Sequence, residues 1–269
     1  MQSLSEVEKR IRAAGRVVLY LDFDGTLAPL VPDPASARMD PATGETLRRL
    51  ASHSRLVTTI ISGRAVEDLY ARIRLDGLIY AGNHGMEIRG RNLRFVDPAA
   101  AARREQARRL SGELAARLRS VPGVLVDYKG LTASVHHFQA AESRIPEIEA
   151  VVRAAVKAAG AGFRVHPGKH AFEIVPQTSW HKGAAVQWIN RQLGNGDLLP
   201  IYLGDDHSDE DAFAVLPDAI TVKVDGAPTS RARYQVKDPS EVAGFLSWLE
   251  SCKQLAGPGR QPDGPVNSP

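Results

Sequence analysis

The stretch Val17–Leu27, VVLYLDFDGTL, constrains this chain more than any other. A β-branched apolar run stops at two aspartates, then Gly25 and Thr26. An unbroken run of this kind reads as a strand of a parallel sheet, covered on both faces. Ligands of open α/β sheets bind beyond the carboxyl ends of the strands, so Asp22 and Asp24 stand where chemistry is expected. Asp and Gly are also common turn residues, so the stretch alone reads equally well as a strand entering an Asx-type turn.

The pattern then repeats. A Pro-rich loop (Pro29–Pro41) leads into a helix over Pro41–Ser52, with Pro41 suited to the first turn. Arg55–Ile61 is a second buried strand ending in Ser62-Gly63-Arg64, followed by a short helix over Ala65–Ile73. A third strand, Leu78–Ala81, ends in Gly82-Asn83-His84-Gly85, and Met86–Val96 reads as a hairpin. Strands alternating with helices imply right-handed βαβ units and a parallel sheet. Between Pro98 and Gln177 the order changes to helix (Ala99–Ser120), strands (Gly123–Tyr128, Thr132–His137), helix (Ile145–Ala159), and strands (Phe163–His166, Ala171–Val175) joined by a Pro167–His170 turn. That order predicts an antiparallel α+β insertion. The α/β pattern resumes with a helix over His181–Leu193, a strand Pro200–Leu203, the acidic run Gly204–Asp211, a helix from Ser208, a strand Ala219–Val224 and a closing helix Ser240–Lys253. The expected organisation is a discontinuous Rossmann-like α/β core (1–97 and 178–256), an inserted α+β cap (98–177) and a disordered Gly/Pro-rich tail (257–269).

Composition excludes several classes. The 269 residues are 43% hydrophobic and 24% charged, with a net charge of +3, ordinary for a globular protein with a sizeable core. So small an excess of positive charge argues against nucleic acid unless it is focused. The densest basic stretch, Arg103–Arg119, carries Leu110, Leu114 and Leu118 at helical spacing and reads as an amphipathic helix with a solvated arginine face. The single cysteine, Cys252, permits no intramolecular disulfide and fits a reducing compartment. No run approaches the roughly 18 apolar residues of a membrane span, and the polar N-terminus lacks a signal-peptide core. A cytoplasmic protein, monomer or weak homodimer, with no nucleic-acid or membrane partner, is expected.

The strand-end loops collect Asp22 and Asp24, Ser62, Lys182 at a helix start, and Asp205, Asp206 and Asp209. Carboxylates with one lysine and one hydroxyl suit Mg²⁺-assisted phosphoryl transfer, because Mg²⁺ is held by one or two carboxylates while taking a substrate phosphate oxygen. A phosphate dianion beside two carboxylates is formally −4, and Mg²⁺ with Lys182 returns +3, so the metal removes most of the repulsion. Asp22 needs no activating base, since a carboxylate is ionised near neutrality. Each residue also has a plainer reading: Ser62 as a helix cap, Lys182 as a surface lysine, Lys169 and Glu173 as an exposed hairpin pair, Asp209 as a favourable charge in a first helical turn. His84, His136, His137 and His181 show no metal-ligand spacing. No EF-hand loop, P-loop or G-x-S-x-G elbow is present.

The four motifs in this order resemble the haloacid-dehalogenase-type phosphatase superfamily. More narrowly, LDFDGTLAPL, SGR, GNHG, KGLTASVHH, PGKHAFEIVP, HKGAAV and GDDHSDED resemble the trehalose-6-phosphate phosphatase family. The resemblance covers most of the chain. It implies that Asp22 is the nucleophile that forms a phosphoaspartate, and that Asp24 protonates the leaving sugar oxygen and then activates water. Ser62 and Lys182 would hold the phosphate. The Asp22 side chain, the Asp24 backbone carbonyl and Asp205 would bind Mg²⁺, supported by Asp206 and Asp209. Lys129, Lys169 and Glu173 match sugar-contacting positions of the cap, and Asn83 and His84 would border the pocket. Two positions depart from the family pattern: Ser208 replaces a common threonine, and Phe138 stands where an arginine often helps to hold the sugar phosphate.

The implied reaction is hydrolysis of the disaccharide phosphate trehalose 6-phosphate. The nearest alternatives are another glycosyl phosphate, such as sucrose phosphate, a glucosyl or mannosyl phosphoglycerate, or a pseudo-disaccharide phosphate. A sugar-phosphate-sensing module without turnover is a third, but a binder has no use for an acid beside the nucleophile.

Overall fold

The computed structural model describes residues 4–194, 196–226 and 229–252; the tail expected over 257–269 lies outside the described residues. Two sheets organise them. The larger follows from strands β1 (Arg16–Leu21), β2 (Leu56–Ile61), β3 (Ile79–Gly82), β4 (Glu87–Gly90), β5 (Leu93–Val96), β10 (Leu198–Gly204), β11 (Ile220–Val224) and β12 (Tyr234–Val236) in the order β12-β11-β10-β1-β2-β3-β4-β5. The six strands from β12 to β3 are parallel, and the β4–β5 hairpin adds an antiparallel edge. The smaller sheet is antiparallel, β6 (Leu125–Tyr128), β7 (Ala133–His136), β9 (Ala171–Pro176) and β8 (Phe163–Gly168) in that order.

The period-two alternation of a strand divides the central residues between the faces of the large sheet. Val17, Leu19 and Leu21 pack with helices α1 (Leu4–Ala13), α2 (Pro41–Ala51), α3 (Val66–Ile73) and α9 (Pro239–Ser251). Val18 and Tyr20 pack on the opposite face with α7 (Lys182–Gln192) and α8 (His207–Ala214). Both faces are therefore dry, which explains why β1 shows no polar alternation. Asp40 caps α2 by accepting the Ala42 and Thr43 amides, with Pro41 in the first turn as its sequence predicts.

The long helix expected over Ala99–Ser120 is two helices, α4 (Pro98–Ala101) and α5 (Arg104–Leu118). Arg103 breaks it with ψ near 4°, a single-residue kink that good helix formers on either side conceal. Leu110, Leu114 and Leu118 are buried against α6 (Ile145–Ala158) and one face of the small sheet. The arginine face is solvated and laced with Arg108–Glu105 and Arg117–Glu113 pairs. Strand β12 carries no sequence signal of its own, being three residues whose pairing comes from β11.

The second face of the small sheet turns Ser134 and Glu173, direct cross-strand partners, towards the large sheet. The sheets meet through Met86, Ala100, Leu131 and Val175, packed with Val96 and Trp180. Trp180 Nε1 donates to the Gly85 carbonyl at 2.7 Å and its ring stacks on Phe95.

Candidate active site

Parallel register brings the polar strand ends to one edge. Leu21 is opposite both Leu203 and Ile60, so Asp22, Ser62 and Asp205 emerge side by side. The Asp22 amide donates to the Leu203 carbonyl at 3.0 Å, which holds the aspartate to the last rung of the sheet. Its neighbour Gly25 has φ of +81°, and a Cβ there would run into the Asp205 carboxylate. Only glycine meets both conditions, so the D-x-D-G order is forced by the approach of two strand ends.

Lys182 is the first residue of α7 and is 2% exposed. A cation at a helix N-terminus opposes the helix dipole, and burial opposes it further. It is held there by Asp22 Oδ1 at 2.8 Å and Asp209 Oδ1 at 2.7 Å. Burial would lower the Lys182 ammonium, but Asp209 and Asp22 outweigh it and hold it well above the ordinary lysine value. The plain surface-lysine reading is thereby excluded. Asp209 also accepts the Tyr202 hydroxyl at 2.6 Å and, through Oδ2, the Asp206 amide at 2.9 Å, the latter half of a capping box that starts α8. A Cβ at Gly204 would collide with its carboxylate.

The carboxylates of Asp22, Asp205 and Asp209 each offer an oxygen, all within 4.8 Å of one another. Burial pushes Asp22 well above the usual carboxylate range; Lys182 draws it down, while Asp209 and Asp205 push it further up. Burial likewise raises Asp205, against the pull of Lys169. Burial thus disfavours the charged form of both carboxylates, which a cation bound between them would favour. An all-oxygen set of this kind suits a hard divalent cation and not a soft one. Asp209 is already engaged by three donors, which fits the supporting place expected for it better than that of a principal ligand. Asp24 comes to the cleft beside them, and Asp206 and Ser208 line it.

The cleft lies between the sheet edge and the small sheet, about 890 Å³ including its open mouth. From the small sheet it receives Asp127, Lys129, His136, Phe138, Lys169 and Glu173. Glu173 accepts the Ser134 hydroxyl at 2.6 Å, lies 3.5 Å from Lys129 Nζ, and has His84 Nε2 at 3.9 Å. Burial would raise Glu173, but Lys129 and the Ser134 hydrogen bond help to hold it well below the usual range.

Four expectations change. Lys169 pairs with Asp205 and Asp225 at 2.7 Å each, so it is neither an exposed partner of Glu173 nor turned only to the sugar space. Its turn is shorter than the expected Pro167–His170, because β8 runs on through Gly168 and β9 begins at Ala171. Asn83 does not line the cleft: it is fully buried, and its Oδ1 accepts the Thr132 hydroxyl at 2.8 Å. His84 does line it, on a left-handed turn with φ of 59°. Ser62 lies too far upstream to cap α3, whose N-cap is Ala65; its hydroxyl accepts the Arg64 amide at 3.2 Å within the cleft wall.

Several site residues escaped the sequence reading. Arg64 grips Asp24 through two hydrogen bonds, Lys223 donates to the Asp205 carbonyl, and Tyr202 supports Asp209. The S-G-R triplet was the one available signal for Arg64; Lys223 and Tyr202 sit in strands whose spacing looks like ordinary core.

The family model for trehalose-phosphatase matches residues 20–243. The trehalose-phosphate phosphatase of Mycobacterium marinum is 36% identical over 265 residues, covering 92% of this chain and 67% of that protein. The chain thus spans about two thirds of the length of that curated relative. Among solved structures, a trehalose-6-phosphate phosphatase related protein superposes with a TM-score of 0.79 at 22% identity, covering 89% of this chain and all of its own. The C-terminal domain of the Candida albicans trehalose-6-phosphate phosphatase superposes with a TM-score of 0.78 at 20% identity, covering 92% of this chain and 96% of that one. At those identities the superpositions speak for the fold, and the sequence matches carry the family. The chain belongs to the trehalose-phosphatase family, within the haloacid-dehalogenase-type phosphatases.

Proposed function

We propose that this chain hydrolyses trehalose 6-phosphate to trehalose and phosphate through a phospho-Asp22 intermediate, with Mg²⁺ at the acidic triad. The observation that carries the reading is Asp22 itself: a buried carboxylate, tied to Lys182 at 2.8 Å, grouped with Asp205 and Asp209 at a strand edge that opens on a cleft. Asp22, the Asp24 backbone carbonyl and Asp205 would hold Mg²⁺, which when bound supplies the positive charge that lets a carboxylate approach a phosphate dianion. Asp22 attacks phosphorus as the bond to the sugar oxygen breaks, and Asp24 gives that oxygen its proton. Asp24 then takes a proton from the water that attacks phosphorus, phosphate departs, and the Asp22 carboxylate is restored. Such proton transfers are typically worth 10²–10⁴-fold. Lys182 and Ser62 hold phosphate oxygens, and Asp206 and Asp209 keep the acidic cluster in place.

Residues 98–177 act as the cap over the sugar, with Lys129, Glu173, Lys169 and His84 presented to its hydroxyls; buried Asn83 supports the turn that carries His84. The same reading makes the partner a small disaccharide phosphate, met in the cytoplasm by a monomer or weak homodimer. No described helix is long and apolar enough to cross a membrane. Phe138 favours a second reading. Its ring lies 4.2 Å from that of His170 in the cleft wall, an aromatic surface suited to the C–H face of a different glycosyl phosphate. Phosphate release from a panel of sugar phosphates decides between them. Turnover of other esters but not of trehalose 6-phosphate would reject the substrate, and full activity of Asp22→Asn would reject the mechanism.

A further inference from the structure

We propose that Arg64 is the positioning residue of the acid–base aspartate, a proposal that rests on the role given to Asp24 above. Arg64 Nε donates to Asp24 Oδ2 at 2.6 Å and Nη2 to Asp24 Oδ1 at 2.7 Å, a fork-to-fork pair. The guanidinium is itself fixed. Nη1 donates to Asp68 at 2.7 Å, Nη2 also to the Pro34 carbonyl at 2.8 Å, and the group lies over the Phe23 ring. Asp68, one helical turn along from Arg64, is held in turn by Arg72, which also donates to the Ala37 carbonyl at 2.7 Å. The Arg64 side chain is 10% exposed, while that of Asp24 is 33% exposed on the cleft.

This geometry has a chemical consequence. Both Asp24 oxygens accept from Arg64, so the carboxyl group cannot wander from the cleft wall, and each oxygen keeps a second lone pair for the cleft. Asp24 gives or takes the proton on one of these remaining lone pairs while Arg64 holds both oxygens in place. Arg64 then acts as a clamp that sets where the proton-carrying oxygen points. Lysine, a point charge, offers no fork and serves this purpose poorly. A misplaced acid–base group costs about 100-fold in rate.

The test uses p-nitrophenyl phosphate with Mg²⁺ and the full chain, read by rapid mixing. Nitrophenolate leaves without a proton, so formation of phospho-Asp22 needs no acid, whereas its hydrolysis still needs Asp24 as base. Arg64→Ala is expected to release about one equivalent of nitrophenolate in a burst at the wild-type rate, then turn over about 100-fold more slowly, as Asp24→Asn does. Added guanidinium should restore part of the slow phase, and Arg64→Lys should stay impaired. Asp68→Asn, which only loosens the anchor of Arg64, should show the same pattern in milder form if the alanine variant does not fold. Equal slowing of burst and steady phases, or wild-type steady turnover in the folded variants, overturns the proposal. A wild-type chain that hydrolyses the aryl ester but not trehalose 6-phosphate rejects the sugar and leaves the Arg64 result standing. A chain inert towards every phosphate ester overturns both.

Discussion

Lys169, at the tip of the β8–β9 hairpin, places its ammonium 2.7 Å from Asp205 Oδ2 at the end of β10. A cation of the small sheet thus sits on a carboxylate of the large one, where Mg²⁺ is proposed to bind. The two cations compete for one oxygen. Lys169→Ala should therefore bind Mg²⁺ more tightly. A part-exposed pair is worth about 1 kcal/mol, roughly fivefold in affinity. Calorimetric titration of the metal into both proteins checks this, and unchanged or weaker binding in the variant would contradict it.

Asp22→Asn should lower turnover by more than about 10⁴-fold without lowering the melting temperature. Burial raises the Asp22 carboxyl well above its usual range, so its charged form costs stability at neutral pH. A neutral amide of the same shape removes that cost, the pattern of a residue kept for chemistry. Phosphate release and differential scanning calorimetry on one preparation measure both halves.

Removing Lys182 acts in the opposite direction. Lys182→Met leaves Asp22 and Asp209 buried without their shared ammonium. Breaking a buried ion cluster costs about 3–5 kcal/mol. Urea unfolding should show that loss, and adding Asp209→Asn to the variant should recover part of it. Equal midpoints for wild type and Lys182→Met would show the cluster to be energetically neutral.

Glu173 supplies a pH signature. Lys129 and Ser134 help to hold its carboxyl below the ordinary value of 4.5 despite burial. A depressed value in the folded state adds stability above pH 4.5, which is lost as pH falls from there towards the lower folded value. Glu173→Gln lacks this component. The stability difference between wild type and variant should be steady near neutrality and shift against the wild type between about pH 5 and pH 3. Denaturant midpoints across that range provide the check, and a difference independent of pH would contradict it.

The elements were readable where a local pattern carries them. Asp40-Pro41 marks the start of α2, and β-branched runs mark β1 and β2. Where a neighbour supplies the structure, the pattern fails: β12 exists because β11 offers it an edge, and the break at Arg103 lies between two good helix segments. The site divides in the same way. Asp22, Ser62, Lys182 and Asp205 could be gathered from their order, because strands of a parallel sheet share one carboxyl edge.

The chain's own pattern settles which groups reach that edge and therefore the class of chemistry. It does not settle which cation meets which anion. Arg64 and Asp24 are 40 residues apart, and Lys169 and Asp205 are 36 apart. Every basic side chain in the sequence is equally available to every acid until the sheets close. Hydrogen bonds are lost within about an ångström of misplacement, and that precision comes from strand register and from the seating of the small sheet on the large one. VVLYLDFDGTL announces two aspartates at a strand end; only the packed molecule assigns Lys182 to the first and Arg64 to the second.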